Sequence, residues 1–488
     1  MKNYRAFFVL LFIMPLLLPA QDFAERLYQS FDQYKASTLQ KRRIKYADIQ
    51  PLIDGLRDNP QYRVKKVGKS IEGRDLTLIS MGSGDISVFL WSQMHGDEPT
   101  ATLAIFDMFN FFNSDDFTAE KQNILSKLSL HFIPMLNPDG AEVYQRRNAL
   151  GIDINRDALR LQSPESRTLK KVRDSVNAAF GFNLHDQSRY YNPKGSSKPA
   201  TISYLATAFN ESKEVNTIRA NAMKVIVHMN KVIQRYAPGQ VGRYSDDFEP
   251  RAFGDNIAKW GTSLILIESG GYPNDFEKQE IRKLNYVSML SALHAIATDS
   301  YSDINLEDYE AIPRNDRRLF DLKIEKATYN LMGEDYILDL GIRRQERDLP
   351  GHHDFYFQSH IADQGDLSTF YGYETFNATG YRILPAAMMT VPDHSAITKN
   401  TVFEALKAGI GYVTVKTLNR ELSFSDYPIH LMANGKKPPE SFRLVPWENP
   451  TFFLQKEGRF THAVINGFII DLAKPLEGQR LGNGLIFK

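Results

Sequence analysis

The sequence contains no cysteine. Disulfides and thiolate metal sites are therefore excluded, and any zinc must be bound by histidine and carboxylate. An excess of charge of either sign is also missing: 59 Lys and Arg against 58 Asp and Glu leave a net charge of +1. That balance exerts no pull toward nucleic acid or an anionic surface, and the longest basic run is Lys41-Arg-Arg-Ile-Lys45. No nucleic-acid partner is expected. Long apolar runs are scarce too. The one candidate, residues 6–18, follows Lys2 and Arg5 and ends at Leu-Pro-Ala20. This basic, apolar, small-residue order reads as a secretory signal peptide over residues 1–20. The block is too short for a comfortable bilayer span. The expectation is an exported protein, periplasmic or extracellular, with no stable membrane span after cleavage.

What is present describes a folded chain, 42% hydrophobic and 24% charged, and 488 residues exceed one ordinary core. Residues 21–60 read as a helical lead-in, with Phe23, Leu27, Phe31 and Tyr34 at helical spacing. A turn-rich stretch, Gly68-Lys-Ser-Ile-Glu-Gly-Arg74, precedes a strand at 76–81. The apolar run from Ile86 stops at His95 and Glu98, and a helix follows over 101–112. A helix at 120–128 leads to a strand ending at Asn137, and one at 164–178 to a strand ending at His185. A long helix over 211–236 precedes a strand at 263–267 ending at Glu268; a last helix spans 279–298. This alternation predicts an α/β fold with a mixed, mainly parallel sheet flanked by helices. Such folds bind ligands beyond the carboxyl ends of their strands, where these four polar sites fall.

From about Tyr301 the texture changes. A charged linker, 301–325, gives way to short alternating segments, with Asn466-Gly467 as the strongest hairpin turn signal. The expected organisation is a signal peptide at 1–20, a first domain at 21–300, the linker, and a β-rich accessory domain at 326–488.

A catalytic zinc site needs three protein ligands and one open position. His95, Glu98 and His185 are the right kinds, two imidazoles and one carboxylate. His-x-x-Glu alone is a weak signal in a chain with 11 histidines. The ordered set is more specific. His95-Gly-Asp-Glu98, Asn137-Pro-Asp-Gly140, Arg146-Arg-Asn148 with Asp153-Ile-Asn155-Arg156-Asp157, His185 and Glu268 together resemble the zinc carboxypeptidases of the M14 or funnelin family, over about residues 45–300.

The resemblance implies a carboxypeptidase-like catalytic domain and one zinc ion held by His95, Glu98 and His185. It implies Glu268 as the general base that passes a proton from the zinc-activated water to the leaving amine. Arg146, preferred to Arg147 because it stands two before an Asn, matches the arginine that holds the oxyanion. Asn155 and Arg156 match the pair that clamps a free C-terminal carboxylate; the planar guanidinium binds a carboxylate bidentately. Tyr244 is a candidate for the tyrosine that closes over the substrate, the alternative being a packing aromatic. Asp157 stands where the family has Asn, and Asp186 after His185 is uncommon; pairing with Arg146 or Arg156 is open for the first, a supporting contact or water for the second. Asp255 matches an acidic residue shared irrespective of specificity, which leaves Gly254 at the selecting position and the preferred side chain unassigned.

His352, His353 and His360 read as surface residues rather than a second metal site. The expected function is a secreted zinc metallocarboxypeptidase acting on peptides or peptide-like substrates with a free C-terminal carboxylate. The alternatives are a zinc amidase of the same family acting on cell-wall peptides or other non-protein amides, and an inactive binding protein. Oligomeric state is not indicated.

Overall fold

The computed structural model describes residues 22–419, 421–436 and 442–488; the expected signal peptide lies outside them. Among the described residues no helix is long and apolar enough to cross a membrane.

Two amphipathic helices open the chain. In α1 (Phe23–Tyr34) the Asp22 side chain accepts from the Glu25 N–H at the N-terminus, and Leu27, Phe31 and Tyr34 are buried. In α2 (Tyr46–Arg57) the buried residues are Ile49, Ile53 and Leu56. The hairpin β1 (Arg63–Lys69) and β2 (Asp75–Met81) then forms, its turn carrying Gly73 at φ 85°. The chain continues through β3 (Ile86–Ser92), α3 (Thr100–Asn113), α4 (Thr118–Lys127), β4 (Leu128–Ile133), α5 (Pro138–Glu142) and α6 (Pro164–Val176). Next come β5 (Phe180–Asp186), β6 (Asn192–Pro193), β7 (Ile202–Ala206), α7 (Thr217–Ile233) and β8 (Val241–Arg243). The unit ends with α8 (Phe253–Lys259), β9 (Ser263–Ser269) and α9 (Gln279–Thr298).

Eight of these strands form one sheet in the order β1-β2-β4-β3-β5-β9-β7-β8. The centre, β4-β3-β5-β9, is parallel. The joins of β2 to β4 and of β7 to β9 are antiparallel. The sheet is thus mixed and mainly parallel, with β7 and β8 as strands not anticipated from the sequence. Alternation along the strands feeds two apolar layers. Val88, Leu90, Phe182 and Ile265 join a core with α3, α7 and α9. Phe89, Trp91 and Leu264 face α6 and α8.

The stretch 301–325, expected as a linker, is folded against this unit. It holds a helical turn, Glu307–Glu310, and the short strand β10 (Asn315–Asp316), which pairs with β6. Tyr309 and Ile312 are buried, and so are two of its charged residues, Asp321 and Lys323. A long strand, Leu319–Leu331, then starts an antiparallel meander with Glu334–Asp348 and Phe355–Gly365. A second, five-stranded sheet lies later in the chain and is largely parallel, with the helix Lys399–Lys407 between two of its strands. Asn466 and Gly467, both at positive φ, close the hairpin of Arg459–Ile465 with Phe468–Asp471. The two halves meet through polar contacts: Tyr190 Oη donates to Asp321 (2.7 Å), and Tyr373 Oη donates to the Arg189 carbonyl (2.6 Å).

One ion pair lies wholly inside the first half. Arg282 of α9 donates to Asp107 of α3 through Nε at 2.6 Å, and both side chains are fully buried. The Ala36 N–H also donates to Asp107, and Arg282 donates to the Leu39 carbonyl. The pair therefore ties the lead-in chain to two core helices. Arg282→Met leaves the Asp107 carboxylate without its cation, and urea unfolding is expected to show a loss of about 3–5 kcal/mol.

Candidate functional site

Three neighbouring parallel strands, β3, β5 and β9, deliver their carboxyl ends to one place. The chain leaving β3 turns sharply, with Gln93 at φ 51° and its amide donating to the Gly96 carbonyl at 3.0 Å. Gly96 passes so close to α5 that a Cβ there would lie 2.0 Å from the Gly140 carbonyl carbon, so no side chain fits. Asn137 braces the same contact. Its N–H donates to the Gln93 carbonyl, and its side chain accepts from the Gly140 N–H at 2.9 Å. This is how the turn after β3 presents His95 and Glu98 inward; Asn137 itself is a brace.

His95, Glu98 and His185 are all buried and offer ligand atoms within 4.8 Å of one another. His95 Nδ1 lies 2.8 Å from Glu98 Oε1, and His185 Nδ1 lies 2.7 Å from Glu98 Oε2. On its far side, His95 Nε2 meets Asp153 Oδ1 at 3.1 Å. That contact holds a proton on Nε2, so the neutral ring offers Nδ1 to a metal, while the charged ring donates from Nδ1 to Glu98 as well. Arg146 joins the cluster, donating through Nε to Asp153 (3.0 Å) and through Nη1 to His95 Nδ1 (3.0 Å).

The electrostatics follow from this crowding. For Glu98, burial favours the neutral acid, but the two imidazoles outweigh it and hold the carboxyl far below its usual range. Burial likewise opposes charge on His95, yet Glu98 and Asp153 push that imidazole up to about 9. Burial lowers His185. Two ring nitrogens converging on one enclosed carboxylate make a site that attracts positive charge, and the donor set matches a His, His, Glu zinc site. The residues fit the ion.

Glu268 ends β9 in direct register with His185 on β5. Burial, reinforced by Glu98, raises its carboxyl well above the usual value. These residues line a cleft of about 370 Å³, together with Arg146, Asn155, Arg156 and Tyr244. The three candidate ligands, Glu268, Arg146, Asn155, Arg156 and Tyr244 therefore border one space. Arg147 points elsewhere, donating to the Gly151 carbonyl at 2.9 Å. Arg156 Nε lies 3.4 Å from Glu249, while Asp157 accepts from the N–H groups of Gln162 and Ser163. Asp157 thus fixes the following turn and pairs with neither arginine. Asp186 accepts from Thr100 Oγ1 (2.6 Å) and Lys278 Nζ (2.9 Å), a supporting role behind His185. The Tyr244 ring meets that of Tyr191 edge-on, centroids 5.9 Å apart.

Several contributors were not visible in the sequence. Asp153 lay inside the quoted motif, and its place between Arg146 and Asn155 was the available signal. Tyr191, Glu249 and Arg317 carried none. Arg317 follows β10 and brings a guanidinium from beyond the first domain to the cleft wall. Among the described residues His95, Glu98 and His185 form the one group of three or more potential ligands. Of the other histidines, His352 contacts Asp348 (2.9 Å) and His360 stacks on Trp447.

Comparison with known proteins gives a consistent picture. The family model described as zinc carboxypeptidase matches residues 49–203, which include the three candidate ligands but not Tyr244 or Glu268. Carboxypeptidase 2 of Trichophyton tonsurans is 27% identical over 256 residues, 48% of this chain and 46% of that protein. Carboxypeptidase SOL1 of Arabidopsis thaliana is 30% identical over 141 residues, 25% of this chain and 28% of that protein. The chain thus spans less than half the length of these relatives. Among solved structures, a metallo-carboxypeptidase from Burkholderia cenocepacia overlaps 53% of this chain and 70% of its own, at 14% identity and TM-score 0.43. Over residues 49–203 this chain is thus similar to the zinc carboxypeptidase family.

Proposed function

We propose that the protein is an exported zinc metallocarboxypeptidase that hydrolyses the C-terminal peptide bond of peptide substrates. The observation that carries this reading is the convergence of His95, Glu98 and His185 beside Glu268 in a cleft that also holds Asn155 and Arg156. Export rests on the basic, apolar and small-residue order of residues 1–20.

His95, Glu98 and His185 hold the zinc, which when bound supplies a water of lowered pKa and polarises the scissile carbonyl. Asp153 keeps the His95 proton on Nε2, so that Nδ1 remains a ligand atom. Arg156 and Asn155 set the substrate's register. Asn155 Oδ1 is occupied by the Phe253 N–H at 3.0 Å, which leaves Nδ2 for a substrate carboxylate oxygen. Arg156 Nε lies 3.4 Å from Glu249 and Nη1 donates to the Asn155 carbonyl at 2.8 Å, which leaves Nη2 and the second Nη1 hydrogen for a substrate carboxylate. A chain end anchored there puts its last peptide bond over the metal triad. Glu268 takes a proton from the attacking water as its oxygen adds to the carbonyl carbon. The same proton passes to the amide nitrogen as the C–N bond breaks. The raised affinity of Glu268 for a proton suits both halves of that transfer. Arg146, tethered by Asp153 and open to the cleft, holds the charge that develops on the carbonyl oxygen. Residues 326–488 act in this reading as an accessory domain.

Two outcomes test the reading. Purified protein is incubated with peptides of varied C-termini, with and without a chelator. Release of the terminal residue is expected to stop with chelator, and Glu268→Gln to lower kcat/KM by about 10²–10⁴-fold. Chelator-insensitive release, or release only from internal amides or muropeptides, overturns it. Separately, Asp153→Ala is expected to weaken zinc binding by about 10–100-fold in a chelator competition.

A further inference from the structure

Two elements stand at opposite ends of one cleft wall. Along one face of β7 the alternate residues are Ser203, Leu205 and, just past the strand, Thr207. Leu205 and Thr207 line the cleft. Thr207 Oγ1 donates to the Gly254 carbonyl of α8, and the Phe253 N–H of the same helix donates to Asn155. At the other end Ser203 pairs in register with Glu268 and donates through Oγ to Asn315 Oδ1 on β10. Four residues of strand separate Ser203 from Thr207, about 13 Å. The wall therefore runs from α8, which braces the carboxylate clamp, past the level of Glu268, to β10.

Arg317 belongs to the β10 end. It stands two residues beyond Asn315 and so shares its face of the chain, the face that Asn315 uses to bond Ser203 and Gln187. Gln187, Ser188 and Arg317 all border the cleft. Arg317 is exposed, and among the described residues no carboxylate pairs with its guanidinium. The other two arginines of the cleft each have carboxylate partners, Arg146 in Asp153 and Glu98, Arg156 in Glu249. Asp316, next to Arg317 in the chain, accepts instead from Arg318 Nε (2.8 Å) and from the Arg317 N–H. Asp247, an acid of the cleft, accepts from Lys213 Nζ (2.8 Å). Arg317 also lies beyond residues 45–300, so the resemblance to zinc carboxypeptidases gives it no part.

We propose that Arg317 is a specificity-determining residue that binds a carboxylate side chain upstream of the scissile bond, so that peptides with glutamate or aspartate there are preferred. The inference rests on the carboxypeptidase reading, which fixes the chain end at Asn155 and Arg156, at the α8 end of the wall. From there the peptide passes the metal triad and Glu268 and leaves toward β10. The length of the wall is about four residues of extended peptide, and the arginine and glutamate side chains bring the meeting point closer to the clamp. The second or third residue from the C-terminus is the one in reach. An unpaired guanidinium offers its planar fork without first breaking an ion pair. A lysine at the same place meets like charge, and a neutral residue leaves Arg317 to water. The contact is open to solvent, so salt screens it.

The test is isothermal titration of zinc-loaded protein carrying Glu268→Gln, which slows cleavage during the measurement. The peptides share one sequence and place Glu, Gln or Lys at the second, third or sixth position from the C-terminus. At the second or third position Glu is expected to bind about 5-fold or more tighter than Gln, and Lys more weakly than Gln. At the sixth position the three are expected to bind alike. The Glu advantage is expected to shrink in about 1 M salt. Adding Arg317→Gln is expected to bring the Glu to Gln ratio to about one, and Arg317→Glu to turn the preference to Lys. Each ratio is taken within one protein, which removes any effect of a substitution on the folded fraction. No advantage for Glu at either near position, an equal advantage at the sixth, a ratio that survives Arg317→Gln, or no binding of any peptide overturns the proposal. Cleavage by the parent protein is read separately. Arg317-dependent binding without release of a terminal residue sinks the carboxypeptidase reading alone, and release without the Glu preference sinks only the proposal.

Discussion

The Glu98 carboxylate is the constraint around which the first half is arranged. It is enclosed, and both of its oxygens face imidazole nitrogens from different parts of the chain. A buried anion needs positive charge beside it, and here that charge has to be shared among ring nitrogens held rigidly apart. The required rigidity comes from the sheet. Parallel pairing of β3 with β5 and β5 with β9 fixes the spacing of the three strand ends. The Gly96 contact with Gly140 then fixes the turn that carries two of the three groups. Asp153 extends the arrangement outward by holding both His95 and Arg146, so one carboxylate orients a ligand and a cation together.

Much of this was legible in the sequence because the signals were local. Apolar runs ending in His, Asn and Glu marked the central strands, and 3.6-residue periodicity marked α1, α7 and α9. The His and Glu groups at the ends of those runs border the cleft, while Asn137 braces the turn beside it. What escaped depended on contacts far apart in the chain. Arg156 was visible but its partner Glu249, 93 positions on, was not. The strands β7 and β8 are short pieces at one side of the sheet, and nothing in their composition separates them from loops. The stretch 301–325 looked like a connector because its charges are conspicuous; up to residue 318 its buried residues are Tyr309 and Ile312, and the buried run from Leu319 belongs to the long strand that starts there.

Two carboxylates show how position decides role. Asp157 and Asp186 are each adjacent in sequence to a candidate site residue, and each is spent on structure. Asp157 gathers the N–H groups of the turn leading into α6. Asp186 anchors Thr100 at the start of α3 and Lys278 just before α9. Adjacency along the chain is a poor guide where a strand end or tight turn sends successive side chains in opposite directions.

The pairing of β10 with β6 carries a further consequence. Asn315 on that strand donates to Gln187 at 2.8 Å and accepts from Ser203 at 2.9 Å, and Arg317 just beyond it borders the cleft. A wall of the cleft is therefore built from chain that belongs to the second half. The cleft is thus complete only when the chain beyond α9 is folded back onto β6. Substitutions along this short strand are changes to the cleft.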